Sequence, residues 1–358
     1  MLNIRDQFII KDNLLSGIEC KTLNEEQLRL IYDRRWFNIW VPKVYGGLEL
    51  PLREGCLLLE SLAYEDGGFG WTVTLCSGAN MFAGFMDPEL AGSIFVNRKV
   101  CFGGSGKVDG KAVKTADGAY LLTGKWKYAT GAPHLSHFTL NAWIYENNKP
   151  LYDVAGEPLY TSFFVDSDDV LIHYDWDTFG LETTASHSFS VSELKVAANR
   201  AFALQPDKAT YNGTLFHYPF MTFAECTLAV NYIGMFKKFL YLFEKQLILR
   251  SKDGDWMAKK GKTLFQMVND IEQPFLNQVD RLYTLMDISW NEVATNDQLL
   301  TEIASLSRNL VAYIRSCTVE LFPYTGISGA QRDNELNIVF RNLFTASQHG
   351  LLNIPADV

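Results

Sequence analysis

The apolar residues of this chain change period twice along its 358 positions. Up to about residue 98 they recur every three to four positions, from 99 to about 205 every second position, and from 206 onward every three to four again. Those are the periods of a helix face and of a half-buried strand. The middle segment must therefore form strands with no helical crossovers between them, which excludes a parallel doubly wound sheet and leaves a small barrel or sandwich. We expect an α+β chain in three domains: an N-terminal α-helical domain over 1–98, a central β domain over 99–205, and a C-terminal up-and-down four-helix bundle over 206–358.

Local signals agree with this division. Asn24 with Gln27 three positions later fits a capping box, and Asp87 before Pro88 marks another helix start. Phe220, Phe223, Leu228, Tyr232, Phe236, Phe239 and Phe243 mark one long helix. Runs from Val268 to Met286 and from Leu299 to Leu321 mark two more, and an amphipathic helix is expected from Leu336 to Leu352. Eight short β-branched and aromatic runs lie between Val100 and Val196. Two of them are joined by Asp117-Gly118, a strong hairpin signal. A second turn is expected at Thr123-Gly124, followed by a strand over 126–129 that ends in Thr130-Gly131. A hydroxyl one residue before a glycine marks a place where a planar ligand can meet an O–H or N–H donor at close range, although the same dipeptide also reads as an ordinary turn.

Charge and cysteine usage remove several function classes. The formal net charge is −9 and no run of five Lys or Arg occurs, which argues against a nucleic-acid surface or an electrostatic membrane anchor. No stretch of 18 apolar residues and no apolar core of a signal peptide is present, so the expectation is a cytoplasmic protein without a membrane span. The six cysteines contain no CxxC and read as free, mostly buried thiols, with no metal site expected. His134 and His137 are better placed to line or rim a pocket than to form a metal pair.

Helices, then strands, then a helical bundle is an uncommon order, and four motifs in that order resemble the acyl-CoA dehydrogenase fold superfamily over essentially the full length. They are VPKVYGGLELPLREGCLLLESLAYEDGGFGW (41–71), GAYLLTGKWKYATG (118–131), WDTFGLETTASHSFSVSEL (176–194) and NIVFRNLFTASQH (337–349). The resemblance implies a flavin, FAD or FMN, held between the β domain and the bundle, with a homodimer or homotetramer common. It implies that Thr130 meets the flavin ring near N5, that Tyr128 lies beside the ring with Gly131 at the strand end, and that Phe102, Gly103, Gly104 and Ser105 wrap its pyrimidine edge. A flavin needs hydrogen-bond donors at its N1/O2 and N5 edges and glycines that let backbone N–H groups approach.

Within the superfamily, the dehydrogenases commonly carry a catalytic Glu nine residues after an Arg of the last helix; here Arg341 plus nine is Gly350. The Thr-Glu-Pro and Gly-Ser-Asp motifs of their first β loop are absent too, with GGSGKVDGKAVKT in their place. Residues 124–131 instead resemble the Gly-Arg-Trp-x-Phe-Ala-Ser-Gly pattern of the flavin-dependent monooxygenases, and residues 344–349 resemble their last helix, which ends in a catalytic His. Asn342 departs from the Asp that more often follows the Arg. This branch implies that flavin reduced by a separate reductase reacts with O2 and a small aromatic or amine substrate, with His349 as base or as stabiliser of the oxygen adduct. His349 before Gly350 also suits a helix C-terminal cap. Two alternatives stay open: an acyl-CoA dehydrogenase or oxidase with a displaced base such as Glu225, and a non-catalytic binding protein that keeps the flavin fold.

Overall fold

The computed structural model describes residues 2–147, 149–291 and 296–354. Six helices come first: α1 (Ile4–Asp12), α2 (Leu14–Cys20), α3 (Glu25–Arg34), α4 (Leu52–Glu65), α5 (Gly67–Asn80) and α6 (Pro88–Phe95). The capping box is formed, since Asn24 accepts from the Gln27 N–H and the Gln27 side chain accepts from the Asn24 N–H. Asp87 caps α6 with Pro88 in its first turn. α5 starts earlier than the apolar pattern suggests because Asp66, buried, accepts from the Gly68 N–H and opens the helix there. Burial pushes the Asp66 carboxyl up to about 6, against the pull of those backbone N–H groups.

Eight strands follow: β1 (Phe102–Lys114), β2 (Tyr120–Ala129), β3 (His137–Glu146), β4 (Lys149–Pro150), β5 (Tyr160–Asp166), β6 (Leu171–Ile172), β7 (His187–Val196) and β8 (Ala201–Phe202). They pair in one mixed sheet in the order β6-β7-β2-β1-β3-β5-β8, with β4 on β3. The hairpin at Asp117-Gly118 is present, and Gly118 takes the positive φ of +83° that the turn requires. The expected turn at Thr123-Gly124 is not: β2 runs straight through it, and two pairs of predicted strands merge into β1 and β2. Gly124 is small for another reason. A Cβ there would sit 2.7 Å from Trp126 Cη2, and one at Gly110, its partner on β1, 2.1 Å from Trp126 Cζ2. The two glycines make room for the fully buried indole, which donates to the Asn141 carbonyl at 2.9 Å.

The chain returns to helix with α7 (Thr214–His217), α8 (Phe220–Arg250), α9 (Gly254–Trp256), α10 (Lys262–Asn291), α11 (Asp297–Leu321) and α12 (Glu335–Ala346). α8 is buried on nearly every face, because α4, α5, α10, α11 and α12 all pack on it. Its Phe236, Phe239 and Phe243 are fully buried, each worth roughly 2 kcal/mol of transfer from water. α12 stops at Ala346, short of the expected Leu352, so His349 lies on the turn after the helix. Among the described residues no helix is long and apolar enough to cross a membrane.

Candidate active site

A cleft of about 940 Å³ opens where α5 and α8 meet the sheet. Thr74, Leu75 and Gly78 come from α5, Phe223, Ala224 and Thr227 from α8, and Gly103, Gly104, Ser105 and Gly106 from β1. Tyr128, Thr130 and His349 line it too, and β3, β5 and the loop between them close another side with Thr139, Asn141, Asp153, Glu157 and Ser162. Six of the residues singled out from the sequence thus meet in one place: Gly103, Gly104, Ser105, Tyr128, Thr130 and His349. Two do not. Phe102 is fully buried and packs on His137 with ring centroids 4.5 Å apart, while Gly131 turns the chain at φ +79° behind the cleft. Neither His134 nor His137 lines the cleft; His137 Nε2 lies 3.1 Å from Asp166 Oδ1.

The glycines of β1 have different causes. A Cβ on Gly104 would lie 1.8 Å from the Thr139 carbonyl oxygen, because β1 approaches β3 closely beside an irregularity in their register. Gly106 faces open space, with nothing within 4 Å of a Cβ. Gly104→Ala is therefore expected to lower unfolding free energy by about 2 kcal/mol or more, and Gly106→Ala by less than about 0.5 kcal/mol, read from urea midpoints.

Thr130 ends a chain of hydroxyls. Its Oγ1 lies 2.9 Å from Ser186 Oγ, which lies 2.8 Å from Thr184 Oγ1, and Thr184 donates to the Leu181 carbonyl at 2.8 Å. Each hydroxyl has one proton. With the Thr184 proton committed to a carbonyl, Ser186 must donate to Thr184 and Thr130 to Ser186. Thr130 is left with lone pairs and no proton to offer a ligand, so toward the cleft its hydroxyl is an acceptor and not the donor expected from the sequence.

The acceptor at the far end of this relay is held firmly. The Leu181 N–H donates to Asn342 Oδ1 at 2.7 Å, and its carbonyl also accepts from Trp176 Nε1 at 3.1 Å. Asn342 needs only an oxygen for this contact, so the departure from Asp is accommodated. Beside it, buried Arg341 pairs with Glu182 and donates to the Phe179 carbonyl at 2.8 Å.

Tyr128 adopts φ +68°, a strained conformation for a bulky residue, where the pairing of β2 with β7 shifts register. Its ring is 67% exposed at the cleft and meets Trp176 edge-on at 6.1 Å.

His349 is positioned by three elements. The Tyr232 hydroxyl of α8 donates to the Ala346 carbonyl at 2.6 Å, Trp71 of α5 meets the imidazole edge-on at 5.7 Å, and Arg308 of α11 donates to the Leu351 carbonyl at 3.4 Å. The residue keeps solvent access at the cleft mouth, yet the surrounding walls strip enough water from the ring to lower its pKa below the ordinary 6.5. The ring is neutral at pH 7. The Leu351 N–H lies 3.4 Å from Nδ1, too far to hold one tautomer, so the proton position follows what binds.

Glu225 does not reach the cleft lining. It is buried, its Oε1 accepts from Arg308 Nη2 at 2.7 Å, and desolvation raises its pKa against the pull of that guanidinium. It pairs with the arginine whose Nε points at the Leu351 carbonyl, two residues past His349. Sequence reasoning missed Ser186, Thr184 and Trp71; the small-residue run GGFGW before Trp71 was the available signal for a helix that makes room beside a ligand.

The lining suits a flat heteroaromatic group with polar edges. Gly78 and Gly106 would place a Cβ in open space, Leu75 and Phe223 supply apolar faces, and Thr130, Ser105 and His349 supply polar contacts at the rim.

No protein-family model matches the chain. Indole-3-acetate monooxygenase of Acinetobacter baumannii is 23% identical over 322 residues, 88% of this chain and 80% of that protein. The flavin-dependent monooxygenase oxygenase subunit HsaA of Mycobacterium tuberculosis is 22% identical over 237 residues, covering 63% of this chain and 57% of its own length. Its crystal structure superposes with a TM-score of 0.82 at 16% identity, over 97% of this chain and 93% of that one. XiaF of a Streptomyces species, solved with FADH2 and glycerol, superposes with a TM-score of 0.83 at 21% identity, over 97% and 89%.

Proposed function

We infer that this chain, which has the acyl-CoA dehydrogenase fold, is the oxygenase component of a two-component flavin-dependent monooxygenase. It takes reduced FAD or FMN from a separate flavin reductase and acts with O2 on a small aromatic substrate. The observation that carries the reading is the meeting of Thr130, Tyr128, the β1 glycines and a neutral His349 in one cleft, while Glu225 is tied to Arg308 outside it. That tie keeps the one carboxylate singled out as a displaced base away from the cleft lining.

When bound, reduced flavin would supply the two electrons that activate O2, one oxygen atom going to the substrate and the other leaving as water. The protein's part is to bind, orient and move a proton. Thr130 would accept a hydrogen bond from the ring's N5–H, which is present in the reduced flavin and absent in the oxidised one. Backbone N–H groups of 103–106 and the Ser105 hydroxyl would address the pyrimidine edge, and Tyr128 would cover the ring. His349 would take the proton of a phenol and so raise electron density at the carbon to be oxygenated.

The charged residues at the cleft are Asp153 and Glu157, with no Lys or Arg among its described lining residues. A neutral or cationic aromatic, including an aromatic amine, suits this lining better than a carboxylate. The flavin phosphate needs cations from elsewhere, and a neighbouring copy in a homodimer or homotetramer would supply them. We further propose that 1–98, 99–205 and 206–358 are the three domains and that the protein works in the cytoplasm. The test is product analysis with a flavin reductase, NADH and matched neutral and carboxylated phenols and indoles. Oxygenated product only with the reductase present, and at least tenfold faster for the neutral member of a pair, is the expected result.

A further inference from the structure

Directly behind the Thr130-Gly131 strand end lies a group of side chains that the flavin reading does not use. Cys76 of α5, Cys101 just before β1, and His134 of the short turn after β2 bring two thiols and an imidazole nitrogen within 4.8 Å of one another. Both cysteines are fully buried. His134 stacks on Phe37 with ring planes 12° apart, and both its ring nitrogens are buried without a hydrogen-bond partner. A neutral imidazole carries at least one N–H, and leaving it unsatisfied in the interior costs about 1–3 kcal/mol. Nε2 is the nitrogen that faces the thiols: a Cβ at Gly131 would sit 2.6 Å from it and 3.2 Å from Cys76 Sγ.

We propose that Cys76, Cys101 and His134 bind one thiophilic d10 cation, Zn²⁺ or Cu⁺, with the Thr130 carbonyl, 3.6 Å from Cys76 Sγ, on a fourth side. Two thiolates, one imidazole and one carbonyl make a neutral Zn²⁺ site, and the first three alone suit trigonal Cu⁺. Bond lengths of about 2.0–2.3 Å need donors just under about 4 Å apart, so shifts of about 1 Å close the site. The ion ties α5 to the strand end whose other side is Thr130. Its absence would loosen the wall of the cleft, but the site itself does not depend on the flavin reading. No CxxC announces it because the three ligands come from three elements.

The test is the metal content of the full chain by mass spectrometry after growth in medium containing zinc and copper, and in a second culture containing cobalt. About one equivalent of Zn or Cu per chain is expected, the element found telling the two apart, and the cobalt-grown protein is expected to show thiolate-to-Co²⁺ charge transfer. Cys76→Ser/Cys101→Ser should retain less than one tenth of the metal, with Cys226→Ser, another buried cysteine, unchanged. Should the double variant fail to fold, His134→Ala and the cobalt spectrum of the unaltered chain carry the test. A folded, cooperatively melting chain without metal from any culture overturns the proposal, whether Cys76 and Cys101 are then free thiols or a disulfide.

Discussion

His349→Ala is expected to lower the rate of product formation about 100-fold or more, the range lost with a positioned general base. Binding of reduced flavin should change less than about threefold, because the imidazole sits at the cleft mouth against Trp71. The pH profile separates a base from a cap. Desolvation lowers the pKa of His349 below 6.5, so the neutral, active ring persists as pH falls and is lost only below that value. The acid limb of kcat/KM should therefore lie below pH 6.5 and vanish in the variant. Stability shifts in the same direction: below 6.5 the unfolded chain binds this proton more readily, so the folded state loses stability as pH drops. A His349→Ala enzyme with unchanged turnover would mean the residue only ends α12.

Ser186→Ala should erode the discrimination between flavin redox states. In the intact relay Thr130 spends its proton on Ser186, and Ser186 spends its own on Thr184. The cleft thus meets an acceptor, which complements N5–H of reduced flavin and opposes the N5 lone pair of oxidised flavin. Removing Ser186 Oγ frees the Thr130 proton to turn toward the cleft. The ratio of Kd for oxidised flavin to Kd for reduced flavin is expected to fall about tenfold, the worth of one hydrogen bond of about 1.4 kcal/mol. Ser186→Thr, which keeps the hydroxyl, should retain the ratio. An unchanged ratio in Ser186→Ala would show that the relay does not set the preference.

What the sequence made readable depends on how local each signal is. Gly118 announces its turn because Asp-Gly acts within four residues, and Asn24 with Gln27 announces a helix start for the same reason. Gly124 misleads because its neighbour in space is the Trp126 ring packed between two strands, a contact that turn chemistry does not encode. The end of α12 was overestimated because Leu351 and Leu352 continue the apolar pattern in a turn held by Arg308 and by packing. The motifs of Thr130, Tyr128 and His349 single out three residues that the fold brings to one cleft. The relay beyond Thr130 was not, since Ser186 and Thr184 arrive from a segment far along the chain and their hydroxyls gain meaning only from who donates to whom. Glu225 shows the same limit, because its role is set by Arg308 on another helix.

The central claim is that this cleft receives reduced flavin and uses it with O2. The most direct test is an anaerobic titration of the purified chain with reduced FMN and reduced FAD, followed by mixing with oxygen and with an acyl-CoA in separate experiments. The account predicts saturable binding of one reduced flavin per chain, tighter than that of the oxidised form, slowed reoxidation by O2, and no response to acyl-CoA. Tight binding of oxidised FAD that is bleached by an acyl-CoA without any reductase would contradict it.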